Sequence, residues 1–182
     1  IHFAGALENN EDTGTLQYLA STAMEAGFST RVLDMQALDL QNGRFFDPAG
    51  ELVNRCFKLY PWEWMVDESP DGCLAEMEWL EPIWKLVMSN KAILATLYEL
   101  FPDSPYVLPC YLSRPRSGLF CKKPVFSREG HNVSVVDIRD WEEYVRIAET
   151  EGDYNTGAYV YQEYVEPTAY SGRYPVIGSW II

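Results

Sequence analysis

The chain has 182 residues, with 27 acidic against 14 basic side chains, a formal net charge of −13, and is 47% hydrophobic and 14% aromatic. That apolar content excludes a disordered tail and suffices for one domain of ordinary size with a substantial core. The negative charge repels nucleic-acid phosphates and anionic lipid, which disfavours a nucleic-acid or membrane-surface role and leaves a cationic ligand electrostatically welcome.

The first part alternates strand and helix. Residues 1–4 read as a strand and 15–26 as a helix with apolar residues at helical spacing, closed by Gly27. Residues 31–35 read as a second strand, and 52–60 as a third after turns at Asn42-Gly43 and Pro48. Two helical stretches follow, 80–88 and 90–101, ended by Pro102 and Pro105. From Tyr106 the chain turns strand-rich, with strands expected at 107–112, 118–125, 132–136, 158–165 and 174–182 and one helix at 141–149. A βαβ-like start before a strand-rich half predicts an α+β fold of sheet against helices.

No apolar run approaches the roughly 20 residues needed to span a bilayer. The four cysteines (Cys56, Cys73, Cys110, Cys121) form no CxxC pair and have no histidine at zinc spacing, so free thiols in a reducing cytoplasm are expected. The chain opens on the strand-like IHFA and stops at Trp180-Ile181-Ile182, halfway through an expected strand. An apolar edge of that kind predicts an internal piece of a longer protein.

Two stretches carry chemistry. The first is Trp79-Leu80-Glu81-Pro82-Ile83-Trp84-Lys85, followed by Ser89-Asn90-Lys91-Ala92. The second is Lys122-Lys123-Pro124-Val125-Phe126-Ser127-Arg128-Glu129-Gly130-His131-Asn132-Val133. There a strand carrying lysines runs into a polar loop with a glycine and then into another strand. Gly130 lets backbone N–H groups approach a phosphate closely, and Lys123 supplies a point charge. A polar hairpin with a glycine is common, so the loop alone points only weakly to a nucleotide.

Taken in order, WLEPIWKLVMSNKAIL, LFPDSPYVLP, KKPVFSREGHNVSV, VYQEYV and YPVIGSW resemble the glutathionylspermidine synthase family, and most of all its stand-alone synthetase-like bacterial members, which lack the amidase half. The resemblance runs from IHFA to GSWII. It implies an ATP-grasp fold of the glutathione-synthetase-like kind, incomplete at both ends of this chain. Residues 1–60 would form a substrate-side region before the ATP-grasp lobes and 61–182 the lobes themselves, with a phosphate loop at 123–132 and an adenine hinge at 162–165. The chemistry it implies is C–N bond formation through an acyl phosphate, with ATP and Mg2+ as cofactors and a small-molecule carboxylic acid and an amine, polyamine-like in the family, as partners.

Carried over residue by residue, the resemblance puts Lys91 and Lys123 on the two ATP-contacting lysines, Glu129 and Gly130 on the phosphate-covering loop, and Gln162, Glu163, Tyr164 and Val165 on the hinge that holds adenine. Phosphoryl transfer requires fixed cations and a lid that excludes water. Glu11 and Asp12 align with an acidic pair that holds the amine, and adjacent carboxylates can bind an ammonium by charge-assisted hydrogen bonds.

Each residue also has a plainer role. Lys91 opens an Asn-led helix and would serve as a surface lysine; Lys122 is the outward member of its pair, because alternate strand residues point opposite ways. Glu163 would do as an exposed strand residue. Carboxylates at a helix start meet its dipole and cap free N–H groups, which would account for Glu11 and Asp12. Trp79, Trp84 and Phe101, at helical spacing, are expected in the core. Nothing supports His131 as a general base.

The family's magnesium ligands lie upstream of Ile1, and a phosphoryl-steadying arginine lies beyond Ile182, so no metal ligand is expected within this chain. The piece alone is expected to bind nucleotide poorly and to be inactive. Trp64 stands where the synthase has a threonine that contacts glutathione; an indole cannot supply that hydrogen bond, which removes the support for glutathione as the acid. The alternative within the family is a non-catalytic ATP-binding or scaffold member, against which the retention of both lysines argues. A thiol amidase would need a Cys beside a His and a carboxylate, and no cysteine has that setting.

Overall fold

The computed structural model describes residues 1–140, 143–154 and 157–178. The chain divides into two compact units, Ile1–Ser89 and Asn90–Ile182. The sequence divides by expected role at 60/61, whereas the compact units meet at 89/90.

In the first unit, β1 (His2–Gly5), β2 (Arg31–Asp34), β6 (Arg55–Leu59) and β7 (Glu78–Leu80) form a parallel sheet in the order β2-β1-β6-β7. A parallel sheet must be covered on both faces, because its crossovers lie there. The amphipathic helix α1 (Asn10–Glu25) covers one face, where Leu16 and Ala20 pack on Phe3, Val32, Phe57 and Leu59. Asn9 caps α1 by accepting the N–H groups of Glu11 (2.9 Å) and Asp12 (3.4 Å). The helix ends in a Schellman turn at Gly27 (φ +91°), with Phe28 N–H donating to the Ala23 carbonyl (3.0 Å).

Alternate residues of the same strands, Ala4, Leu33 and Cys56, face the other layer. That layer comprises a three-stranded antiparallel sheet of β3 (Asp39–Gln41), β4 (Arg44–Phe46) and β5 (Leu52–Val53), together with α2 (Trp62–Glu68) and the single turn α3 (Pro70–Cys73). The β3–β4 turn is at Asn42-Gly43, both with positive φ, as a tight hairpin requires. Trp62, Met65 and Trp79 complete this core.

In the second unit, α5 (Ala92–Leu100) precedes β8 (Cys110–Tyr111), β9 (Gly118–Pro124), β10 (Ser134–Ile138), β11 (Tyr144–Glu149) and β12 (Tyr159–Glu163). They form an antiparallel sheet in the order β11-β10-β9-β12-β8. Directly opposed residues share a face and alternate residues do not. Cys110, Cys121, Lys123, Val160 and Gln162 therefore lie on one face, part of which Ala95 and Leu94 of α5 cover. Phe120, Lys122, Ser134, Val136, Ile138 and Tyr161 lie on the other.

Several local expectations are corrected. The segment expected to be helical at 141–149 is strand over Tyr144–Glu149, with residues 141 and 142 outside the described residues. Its alternation of Tyr144, Arg146 and Ala148 with the β-branched Val145 and Ile147 suits pairing along β10. Residues 52–60 make two strands in two sheets, broken at Asn54. The stretch expected as helix from residue 80 begins as the end of β7 and turns helical only after Pro82, first as a 3-10 turn (Ile83–Lys85) and then as α4 (Leu86–Ser89). Trp79 is buried, but Trp84 and Phe101 are 59% and 56% exposed and are not core residues. Residues 174–178 form no strand, and the rest of that expected strand, 179–182, lies outside the described residues. Helix α2 and the small antiparallel sheet were not expected.

Candidate nucleotide-binding site

Alternation along β9 sends its two lysines to opposite faces. The Lys123 ammonium donates to the Gln162 side-chain carbonyl at 2.6 Å. It also pulls against burial at two thiols of its own face: burial pushes the pKa of Cys110 and of Cys121 up, and the Lys123 charge draws both back down. Lys122 instead stands over the Tyr159 ring, 4.0 Å from its centroid. An ammonium has three donors, so Gln162 occupies one of those on Lys123.

Lys91 sits where the chain enters α5, beside Asn90, whose side chain accepts the Ala92 N–H at 2.8 Å. Its main-chain N–H donates to the Val125 carbonyl at 2.8 Å. Its ammonium donates to the carbonyl and to the hydroxyl oxygen of Ser127. Val125 and Ser127 follow directly on β9, so the structure brings Lys91 to the exit of the strand that carries Lys123.

Past that exit the chain reverses in a tight turn. Glu129 (φ +51°) and Gly130 (φ +73°) are both left-handed, and His131 N–H closes the turn onto the Arg128 carbonyl at 2.8 Å. This is the two-residue geometry matched to strand twist. The base of the loop is tied down by residues that sequence inspection passed over. Asn132, itself left-handed at +55°, donates to the Gly152 carbonyl (2.9 Å) and accepts from Tyr154 N–H (2.7 Å). Thr150 Oγ1 donates to the Gly130 carbonyl and accepts Val133 N–H (2.9 Å). A Cβ on Gly152 would stand 2.5 Å from His131 Cβ, so glycine is required there for space. The only signal for these roles was the taste of Asn for left-handed backbone.

The expected hinge begins at the end of β12. Glu163 N–H donates to the Pro109 carbonyl (2.8 Å) and Tyr164 N–H to the Leu119 carbonyl (3.0 Å), which secures the backbone on both sides. The Glu163 side chain is exposed, and Val165 is 56% exposed. Gln162 contributes a side chain as well as backbone, through its bond to Lys123.

Glu11 and Asp12 belong to the first unit, in the opening turn of α1. Asn9 is the capping side chain there, which leaves neither carboxylate needed for that purpose. The turn follows the carboxyl end of β1, from which the chain runs to β2 on one side while the adjacent β6 leads on to β7 on the other, the position at which open parallel sheets bind ligands. A Cβ on Gly5 would meet the Leu59 carbonyl oxygen at 2.9 Å, so only glycine permits this close approach. Trp64 packs edge-on against Tyr60 (centroids 5.3 Å apart), and the Tyr60 hydroxyl donates to Glu68 (2.7 and 2.8 Å).

The four cysteines are free thiols. Burial raises the pKa of each, that of Cys56 to about 12, so none presents a nucleophilic thiolate near neutrality. Among the described residues no group of three or more His, Cys, Asp or Glu side chains is arranged to hold a metal ion, and no helix is long and apolar enough to cross a membrane.

Comparison with known proteins bears on the family and the fold. The profile of the family described as Glutathionylspermidine synthase preATP-grasp matches residues 1–182. A Haemophilus influenzae protein named "Putative acid--amine ligase" is 34% identical over 181 residues, covering 94% of this chain and 46% of that protein. Trypanothione synthetase of Crithidia fasciculata is 35% identical over 107 residues, 57% of this chain and 16% of that protein. The bifunctional glutathionylspermidine synthetase/amidase of Escherichia coli is 28% identical over 158 residues, 69% of this chain and 25% of that protein. The chain thus spans less than half the length of these curated relatives. Among solved structures, a RimK domain ATP-grasp protein from Sphaerobacter thermophilus superposes with a TM-score of 0.53 at 12% identity, over 92% of this chain and 66% of that one. The chain belongs to the glutathionylspermidine synthase family and has the ATP-grasp fold.

Proposed function

We propose that the protein to which this chain belongs is an ATP-dependent carboxylate–amine ligase working through an acyl phosphate. Lys91 and Lys123 would hold the phosphates of ATP, the Glu129-Gly130 turn would cover them, and the 162–165 segment would hold the adenine. The observation that carries this is the hydrogen bond from Lys91 N–H to the Val125 carbonyl, two residues beyond Lys123. It joins two cations from distant parts of the sequence to one end of one strand, which is what a polyphosphate requires. Both ammoniums are already oriented by oxygen acceptors, so little side-chain freedom remains to be lost on binding.

The relatives named above, one as an acid–amine ligase and two as synthetases, support C–N bond formation as the reaction class. ATP would supply the phosphoryl group that activates the acid carboxylate, and the amine would then displace phosphate. Lys91 and Lys123 would neutralise charge on the transferring group, while the turn keeps water from the acyl phosphate. Magnesium is assigned to no residue of this chain. Glu11 and Asp12 are the candidates to receive the cationic amine, and the indole of Trp64 speaks against glutathione as the acid.

The test uses the full-length protein with Mg-ATP and pools of acids and amines, with phosphate release as the readout. Release that depends on one acid and one amine together is expected. ATP binding without release from any pair would instead support a non-catalytic ATP-binding member of the family.

A further inference from the structure

The reverse face of the second unit's sheet holds a cavity of about 140 Å³, lined by Arg114, Lys122, Val136, Ile138, Tyr144 and Tyr161. Lys122 and Lys123 are adjacent in β9, so this cavity lies across the sheet from the face assigned to nucleotide. Its floor is apolar: Val136 and Ile138 are 1% and 2% exposed. Its walls are cationic and aromatic. The Arg114 guanidinium stacks 5.0 Å from the Tyr144 ring centroid and donates to the Asp140 carbonyl at 2.8 Å. Lys122 stands over Tyr159.

Two features point to an anion. The Arg114 Nε is buried, with no hydrogen-bond partner among the described residues, and an orphaned donor on a cation is costly unless something accepts from it. In a chain of net charge −13, two cations gather here, and among the described residues no carboxylate lines the cavity. The acidic group facing this side from β11, Glu149, is taken up by Ser134 Oγ (3.2 Å) and by Arg146. Burial pushes the Tyr161 pKa up, which keeps its hydroxyl a protonated donor. Two features point to an apolar body as well: the Val136–Ile138 floor, and a volume close to the roughly 150 Å³ that accommodates a benzene ring.

We propose that this cavity binds a compact organic carboxylate, its carboxylate between Arg114 and Lys122 and its apolar body on Val136 and Ile138. The site does not depend on the nucleotide assignment, since none of its residues is used there.

The experiment titrates 4-fluorobenzoate into the full-length protein and follows the 19F signal. Expected are saturable binding at millimolar or lower concentration and magnetisation transfer from the Val136 and Ile138 methyl groups to the ligand ring. Affinity should fall at least about tenfold in Arg114→Met and in Lys122→Met, and be unchanged in Lys123→Met. Neutral 4-fluorobenzamide and inorganic phosphate should each bind at least about tenfold more weakly, for want of charge and of an apolar body respectively. The magnetisation transfer is read on the unmodified protein, so it stands even if a variant fails to fold. No saturable binding, transfer from other methyl groups, or phosphate binding as tightly as the carboxylate would overturn the proposal. So would loss of binding in Lys123→Met alone, which would put the ligand on the other face.

Discussion

The Lys91 ammonium is held by Ser127 through both oxygens of that residue, carbonyl and hydroxyl. The pair spans 36 positions of sequence and fastens the start of α5 to the segment that leads into the Glu129-Gly130 turn. Ser127 thereby controls where one proposed phosphate ligand stands.

Ser127→Ala removes the hydroxyl half of that grip. Full-length protein carrying it should bind ATP roughly three- to tenfold more weakly, the scale of one ordinary net hydrogen bond, because the lost contact positions the lysine rather than touching the nucleotide. Amide exchange over residues 126–132 should quicken. An isothermal titration together with hydrogen exchange checks both; unchanged values would mean that the Ser127 hydroxyl does not position Lys91.

Lys123→Ala should weaken ATP binding at least about tenfold and lower the melting temperature only modestly, because the half-buried side chain makes one charge-assisted hydrogen bond, to Gln162. Gln162→Leu should weaken binding less. The double variant should show a coupling of about 1 kcal/mol in a thermodynamic cycle, since each residue orients the other. Additive effects would show that the 2.6 Å contact does not matter to nucleotide binding.

Two glycines of the loop region should fail for different reasons. Gly130→Ala meets no atom within 4 Å but must hold a left-handed φ of +73°, at a cost of about 1–2 kcal/mol. Gly152→Ala puts a methyl group 2.5 Å from His131 Cβ and must displace the loop base. Chemical denaturation should register both. Only Gly152→Ala should also shift the amide resonance of Tyr154, which donates to Asn132 at the loop base.

Asp47 links stability to acid. The Glu51 main-chain N–H, then Arg31 and His2, hold its carboxyl below the usual range against the opposing effect of burial. A depressed folded-state pKa contributes stability that is fully present above the unfolded value, about 3.9, and is lost as pH falls through the folded value. Asp47→Asn should therefore lower the melting temperature at neutral pH, with the gap to the parent closing below about pH 4. A gap that stays constant down to pH 2 would remove Asp47 from the acid response.

Much of the architecture was legible. The strand at β1, the helix closed by Gly27, and the Asn42-Gly43 turn follow from signals that act within a few residues: side-chain periodicity and the freedom of Gly and Asn at positive φ. The segment Tyr144–Glu149 misled because six residues that alternate weakly suit either element; pairing along β10 decides it. Trp84 and Phe101 misled because helical spacing names a shared face without saying whether anything covers it. Lys122 and Lys123 were separable in advance, because alternation in a strand is local geometry.

By itself, then, the sequence determined the family, the α+β class and the candidate residues, since ordered motifs and short-range periodicity are written into neighbouring positions. Only the tertiary structure decided that Lys91 meets Val125 and Ser127, that Gln162 reaches Lys123, and that Asn132 is pinned by Gly152 and Tyr154. These contacts join residues 20 to 39 positions apart, and no local preference specifies such a partner: it follows from strand order and register, which the packing of the whole unit settles.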